Sequence, residues 1–213
     1  MSDLVKIAKT EISNSNKLCV IAGLNVLEDD QLTFEVAERL KKITEAQGNS
    51  FIFKASFDKA NRSSVDSYRG PGLEKGLEIF RELKKSDYQL ITDIHEISQV
   101  EQISEVVDII QIPAFLCRQT DLIKEACQSG KPLNIKKGQF LSPDQMKNII
   151  EKCSNFGNDQ IMLCERGTSF GYDNLVVDML GMSKLKTFNC PIIFDVTHSL
   201  QLPGQGKTAA GGR

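Results

Sequence analysis

The feature that most constrains the fold is a repeat of one pattern: a short apolar segment, a few polar residues, and then a segment of helical periodicity. Seven repeats of this kind follow one another along the chain. Alternating strands and helices imply parallel strands joined by helical crossovers. The predicted strands span residues 18–23, 51–54, 89–95, 108–114, 132–138, 160–167 and 191–198.

The segments between the strands place apolar residues near the 3.6-residue period of an amphipathic helix. The pattern is clear at Leu73, Leu77, Phe80 and Leu83. The predicted helices span residues 30–47, 71–85, 98–107, 119–129, 143–153 and 174–186. At the two ends of the chain, residues 4–14 indicate a short irregular or hairpin lead-in, and residues 202–213 a glycine-rich loop.

Two architectures fit this order of elements: an open doubly wound sheet and a (β/α)8 barrel, the TIM barrel. No G-x-G-x-x-G fingerprint follows the first strand, which argues against the dinucleotide-binding form of the open sheet. Polar residues instead follow nearly every strand, as in a barrel whose site is assembled from all the strand ends at one mouth. We therefore predict an α/β fold of the (β/α)8 type, a single domain over residues 1–213.

The eighth strand and the final helices of such a barrel are lacking from the predicted pattern. The chain has 213 residues, whereas typical barrels need about 250. The domain is therefore expected to be incomplete at its carboxyl terminus.

Composition excludes several classes of partner. The net charge of -2 gives no sign of a nucleic-acid or anionic-membrane partner. No apolar run is long enough to span a bilayer, and residues 1–17 lack the apolar region of a signal peptide. The six cysteines form no C-x-x-C pair and are typical of reduced thiols. We expect a cytoplasmic protein.

A basic stretch after the second predicted strand is the first candidate for a binding site. Lys54 lies on the strand itself, and Lys59, Arg62 and several small hydroxyl and amide residues follow before the Gly70–Pro71–Gly72 turn. Cations among small donors beyond the carboxyl end of a strand are typical of a phosphate or carboxylate site. The competing interpretation is a solvated loop that happens to be basic.

The other strand ends extend this site. Five of their residues are cations, so a pocket that collects them would suit a multiply anionic ligand, or two phosphorylated substrates held by separate cation clusters. His198 and Asp93 are candidates for proton transfer, while His95 fits a structural role equally well. Too few ligands accompany them for a transition-metal site. The full set is Asn25, Lys54, Lys59, Arg62, Asp93, His95, Gln111, Lys136, Arg166 and His198.

Eight segments resemble those of the 3-deoxy-D-manno-octulosonate 8-phosphate synthases, in order and at the family's spacing from residue 18 onward. The resemblance implies a (β/α)8 barrel, usually a homotetramer, and a cytoplasmic transferase. That transferase condenses phosphoenolpyruvate with D-arabinose 5-phosphate to make a precursor of a lipopolysaccharide sugar. The segments are GLNVLE (23–28), FKASFDKANRSS (53–64), SYRGPGLEKGL (67–77), ITDIHE (91–96), DIIQIPAFLCRQTDL (108–122), NIKKGQF (134–140), CERGTSFGYDNLVVDMLG (164–181) and IFDVTHSLQ (193–201).

The resemblance also implies roles for individual residues. Those expected to bind phosphoenolpyruvate are Lys54, Lys136 and Arg166. Those expected to bind the phosphate of the sugar are Asn61, Arg62 and Ser63. Lys59 is expected near the aldehyde, with Asp93, Gln111 and His198 lining the reacting centre.

Asn25 bears on the cofactor. Metal-dependent members of the family carry a cysteine at the position of Asn25, so the resemblance implies the metal-independent branch and no cofactor. An amide can orient an aldehyde and a water by hydrogen bonds but cannot act as a thiolate ligand.

Two alternatives stay open at this point. One is a related synthase that uses erythrose 4-phosphate, against which the segment KANRSS (59–64) argues. The other is a truncated, inactive barrel that binds phosphosugars or nothing.

Overall fold

A single parallel sheet of seven strands organises the computed structural model, which describes residues 3–206 and 210–213. Each neighbour in the sheet is also the neighbour in sequence, as in a barrel wall. The seven predicted strands are therefore confirmed, although five of them end two to four residues earlier than predicted. The strands are β3 (Cys19–Gly23), β4 (Ser50–Lys54), β5 (Leu90–Asp93), β6 (Ile109–Ile112), β7 (Leu133–Lys136), β8 (Ile161–Glu165) and β11 (Ile192–Phe194).

Helices cover the outer face of this sheet, as the periodicity predicts. The side chain of Asp29 caps the first helix by accepting a hydrogen bond from the backbone N–H of Leu32 at 2.8 Å. The third helix is short and directly follows a 3₁₀ turn at Ile97–Gln99. The helices are α1 (Asp30–Ala46), α2 (Leu73–Lys85), α3 (Val100–Ser104), α4 (Thr120–Gln128), α5 (Met146–Asn155), α6 (Met179–Lys186) and α7 (Val196–Ser199).

The lead-in is a β-hairpin formed by β1 (Leu4–Ile7) and β2 (Thr10–Ser13). Its apolar side chains, including Val5 and Ile12, pack against inward-facing residues of the barrel strands, such as Ile52. Because the hairpin contacts the apolar residues of the strands, the polar residues near their carboxyl ends are left for the opposite mouth. The larger apolar core lies between the outer face of the sheet and the helices.

Several further predicted elements differ in extent from those of the structure. Residues 143–145 form a turn, so α5 begins at Met146. Residues 175–176 form strand β10 (Leu175–Val176), which pairs with β9 (Thr168–Ser169) in a small antiparallel hairpin, so α6 begins only at Met179. The apolar residues of the segment from 174 to 186 fit a helical period, but the hydrogen bonds of residues 175–176 go to another strand.

The third correction concerns the last strand, predicted to run from 191 to 198. It ends at Phe194, and the helix α7 follows at once. The side chain of Asp195 accepts a hydrogen bond from the backbone N–H of His198 at 3.0 Å and so caps this helix. His198 is thus presented by a helical turn and not by a strand.

The strands at the two ends of the sheet, β3 and β11, do not pair with each other. Their residues are partly exposed, whereas those of β5 to β8 are buried. Seven parallel strands in barrel order, open between β3 and β11, agree with the predicted barrel-type fold.

Within the predicted loop 202–213, residues 207–209 lie outside the described part of the chain. On either side of them β12 (Gln201–Leu202) pairs with β13 (Gly211–Gly212). In the described ranges no helix is both long and apolar enough to cross a membrane.

Candidate active site

One cavity of about 210 Å³ opens at the carboxyl ends of the strands. Barrel folds place their sites at this mouth, because the loops that follow the strands converge there. Every residue predicted for binding or catalysis lies on the wall of this cavity, together with His95: Asn25, Lys54, Lys59, Asn61, Arg62, Ser63, Asp93, Gln111, Lys136, Arg166 and His198.

A buried carboxylate organises one side of the cavity. Asp93 Oδ1 lies 3.2 Å from the Nζ of Lys54 and also accepts a hydrogen bond from the hydroxyl of Ser56. Its Oδ2 lies 3.3 Å from Nε2 of His95. Burial opposes ionisation, but the charge of Lys54 and the hydrogen bond from His95 hold the pKa of Asp93 well below its ordinary value. Asp93 is therefore a carboxylate that fixes the position of Lys54.

The opposite side is built on Asp195, Lys136 and His198. Lys136 Nζ lies 2.5 Å from Asp195 Oδ2, and Nδ1 of His198 lies 2.8 Å from the same oxygen. Burial opposes ionisation of Asp195, but the hydrogen bond from His198 and the charge of Lys136 lower its pKa far below the ordinary value. The carboxylate thus holds both the ammonium and the imidazole at the cavity wall.

The surroundings of His198 favour the neutral form of its imidazole. Burial lowers its pKa; the hydrogen bond to Asp195 opposes this shift, and the charges of Lys136 and Lys54 reinforce it. A neutral imidazole that donates from Nδ1 to a carboxylate leaves Nε2 as a proton acceptor. That is the arrangement of a general base.

Lys59 has a perturbed ammonium group. Burial and the neighbouring charge of Lys54 lower its pKa to about 7, with Lys136 and Arg62 adding to the shift and Asp93 opposing it. Such crowding of cations is unfavourable in the absence of an anion, so the cavity favours binding of negative charge.

Arg166 closes the cavity near His198. Its Nη2 donates to the carbonyl of His198 at 3.3 Å and to Gln201 Oε1 at 2.5 Å. Its Nη1 is buried and has no partner within the structure, and Nε of Arg62 is in the same state. A buried guanidinium nitrogen without a partner is costly, so both arginines are placed to receive acceptors from a ligand.

The sequence model of the DAHP synthetase I family matches residues 4–210. The chain belongs to the DAHP synthetase I family. Among its curated relatives, a protein from Hahella chejuensis is 55% identical over 98% of this chain and 75% of its own length. Proteins from Pseudomonas syringae pv. syringae and Pseudomonas putida strain GB-1 are 54% and 53% identical, each over 99% of this chain and 75% of their own length.

These three relatives are named 2-dehydro-3-deoxyphosphooctonate aldolase. That is another name for the synthase that the motifs resemble, so the resemblance is confirmed. The expected barrel is consistent with both the family and the seven-stranded sheet.

The sequence pattern assigned no site role to four polar residues that lie at this cavity or contact its residues. They are Ser56, Asp195, Gln139 and Gln201, which contact site residues or line the cavity. Asp195 had a signal: an aspartate three residues before a histidine can cap a helical turn and also meet the imidazole. Gln139 lies in a turn and Gln201 in the short strand β12, and neither had such a signal.

Asn25 is exposed at the edge of the cavity. Among the residues that the structure describes, no group of three or more His, Cys, Asp and Glu side chains is placed to hold a metal ion. Asn25 shares the lining of this cavity with Lys54, Lys136 and His198.

Proposed function

We propose that the chain condenses phosphoenolpyruvate with D-arabinose 5-phosphate and water, giving 3-deoxy-D-manno-octulosonate 8-phosphate and phosphate. The observation that carries this proposal is the convergence of five cationic side chains on one cavity beside the Asp195–His198 pair. The shared name of the curated relatives supports the choice of substrates. In this role the chain is a transferase that supplies the octulosonate sugar of lipopolysaccharide.

Phosphoenolpyruvate would bind between Lys54, Lys136 and Arg166. Phosphate and carboxylate together offer several acceptor oxygens, and a guanidinium with a free nitrogen can contact them with a defined orientation. The unpartnered Nη1 of Arg166 supports this placement. The cations are held by Asp93 and Asp195 before substrate arrives, so little reorganisation is needed on binding.

The phosphate of the sugar would bind at the loop that carries Asn61, Arg62 and Ser63. All three line the cavity, and the buried Nε of Arg62 has no hydrogen-bond partner among the residues that the structure describes. Lys59 lines the same cavity, and the charges of both Lys54 and Arg62 lower its pKa. It would contact the aldehyde oxygen as that oxygen gains negative charge.

The chemical step would form a bond between C3 of phosphoenolpyruvate and the aldehyde carbon. The double-bond electrons make the new bond, and the aldehyde oxygen becomes an alkoxide that takes up a proton. Water adds its oxygen to C2 and gives up a proton, for which Nε2 of His198 is the acceptor that we assign. The resulting tetrahedral intermediate collapses: its C–O bond to phosphate breaks, phosphate leaves with the electron pair and takes up the proton of the C2 hydroxyl, and C2 becomes a ketone. Gln111 and Asp93 would orient the reactants by hydrogen bonds.

We further propose that the reaction needs no metal. Asn25 supports this, because an amide at this position can hydrogen-bond a water or aldehyde but is a poor ligand for a transition metal.

A cytoplasmic homotetramer is also proposed. Exposed aromatic side chains at Phe115, Phe140 and Phe170, on loops that follow barrel strands, support association of copies.

The test is phosphate release from phosphoenolpyruvate after exhaustive chelation. Release that depends on arabinose 5-phosphate is expected, with much slower release on erythrose 4-phosphate. Phosphate release with erythrose 4-phosphate but not with arabinose 5-phosphate would favour the related synthase. If folded protein releases no phosphate with either sugar, an inactive barrel would be favoured.

A further inference from the structure

A buried ion pair lies directly behind the cavity. Lys137 is 1% exposed and Glu165 is 2% exposed, and their Nζ and Oε1 atoms are 3.5 Å apart. Each is the sequence neighbour of a cavity cation, Lys136 and Arg166 respectively. Adjacent residues of an extended segment point to opposite faces, so the pair faces away from the substrates while its neighbours face them.

Lys137 connects two loops. Its Nζ donates to the hydroxyl of Thr168 at 2.9 Å and to the carbonyl of Leu141 at 3.3 Å. Leu141 belongs to the loop after β7, and Thr168 to the segment after β8. One ammonium therefore joins the two segments that carry Lys136 and Arg166.

Glu165 shapes the turn that carries Arg166. Its Oε1 accepts hydrogen bonds from the backbone N–H groups of Arg166 at 2.9 Å and of Gly167 at 2.6 Å. Gly167 has φ of 92°, a conformation that favours glycine. The carboxylate thus fixes the direction in which the backbone leaves the strand, and with it the direction of the guanidinium.

We propose that Lys137 and Glu165 are positioning residues that hold Lys136 and Arg166 at the spacing required by one substrate with two anionic groups. This inference depends on the proposed function for the identity of that substrate, phosphoenolpyruvate. Two desolvated charges need each other and their hydrogen bonds, so departures from this arrangement are penalised. Two separate flexible loops would not fix the spacing in this way.

The test compares variants by the dissociation constant for phosphoenolpyruvate, measured by calorimetry, and by KM and kcat. T168V removes one hydrogen bond of Lys137, and T168S keeps the hydroxyl. K137M leaves Glu165 buried without its partner, whereas K137M/E165Q also removes that unpaired charge while keeping an acceptor for the turn. K147M is the matched control, because Lys147 belongs to an exposed pair with Glu151 at 3.8 Å.

K137M is expected to weaken phosphoenolpyruvate binding by about tenfold to a hundredfold, the cost of a displacement near 1 Å, with a much smaller effect on the sugar KM. K137M/E165Q should regain thermal stability without regaining affinity, which a purely structural role would not produce. T168V should weaken binding by about threefold, since one hydrogen bond is lost, while T168S and K147M match the unaltered chain.

The inference is overturned if K137M/E165Q or T168V binds phosphoenolpyruvate as tightly as the unaltered chain. The Thr168 variants give this answer even if K137M does not fold. Failure of the proposed function would show in a different measurement: the unaltered chain would release no phosphate when arabinose 5-phosphate is added.

Discussion

Nδ1 of His198 lies 2.8 Å from Oδ2 of Asp195, three residues earlier in the chain. The same carboxylate caps the helical turn that carries the imidazole and contacts Lys136 at 2.5 Å. One side chain therefore sets the local backbone, the tautomer of the histidine and the position of a substrate-binding cation. The first prediction concerns its removal.

Asp195→Asn should lower kcat by about a hundredfold, the usual scale for one general acid–base contribution. The carboxylate raises the pKa of His198 against the effect of burial, so its loss should lower that pKa further. The acid side of the kcat profile should then move to lower pH. Steady-state rates between about pH 5 and 9 measure both effects, with Asp121→Asn on the exposed face of α4 as the control. An unshifted acid limb would remove His198 as the base.

Lys59 should make kcat/KM depend on pH near neutrality. Its pKa is lowered to about 7, so the ammonium is present below that pH and is lost above it. If the cation contacts the aldehyde oxygen, kcat/KM falls as pH rises through 7, apart from the titration of the substrates. Lys59→Arg keeps the charge at all these values and should flatten that fall. A profile that is identical in the two proteins would contradict the assignment.

Arg62→Ala should weaken binding of arabinose 5-phosphate and leave phosphoenolpyruvate almost unaffected. The loss of a charge-assisted contact is about 1.5–3 kcal/mol, so the KM for the sugar should rise by about ten- to a hundredfold. Arg39→Ala, at an exposed site on α1, is the matched control. An unchanged KM for the sugar would place its phosphate elsewhere.

The amino-terminal hairpin should contribute stability but not chemistry. Ile12 is 5% exposed and packs with the inward-facing barrel residues. Ile12→Ala should lower the free energy of unfolding by about 2–4 kcal/mol, with kcat and both KM values unchanged per folded molecule. Ile43→Ala, on the exposed part of α1, should cost much less. Denaturant titration measures the free energy of unfolding of both variants. Equal losses in the two variants would mean that the hairpin does not pack against the inward-facing residues of the barrel strands.

The sequence predicted the strands and the polar residues at their ends because both follow a local rule. Lys54, Asp93 and Lys136 end strands that are rich in apolar residues, and a parallel sheet brings such ends to one edge. His198 lies at the cavity, as predicted, but on a helix capped by Asp195 and not on the strand where it was placed.

Other parts of the site depend on residues distant in sequence and had no local signal. Lys137 meets Glu165 and Thr168 only because β7 and β8 pair in one register. Gln201 accepts a hydrogen bond from Arg166 on the other side of the cavity. Residues 175–176 pair with residues 168–169 in a small hairpin, although their apolar spacing fits a helix. In each case a tertiary contact decided the conformation.

The most direct measurement is phosphate release from phosphoenolpyruvate by chelator-treated protein, with and without arabinose 5-phosphate. The account predicts release only when the sugar is present, at a rate that added divalent metal leaves unchanged, because Asn25 stands where a thiolate ligand would be needed. Release that is abolished by the chelator and restored by metal would contradict the metal-independent mechanism. The absence of sugar-dependent release, with and without metal, from folded protein would contradict the proposed reaction itself.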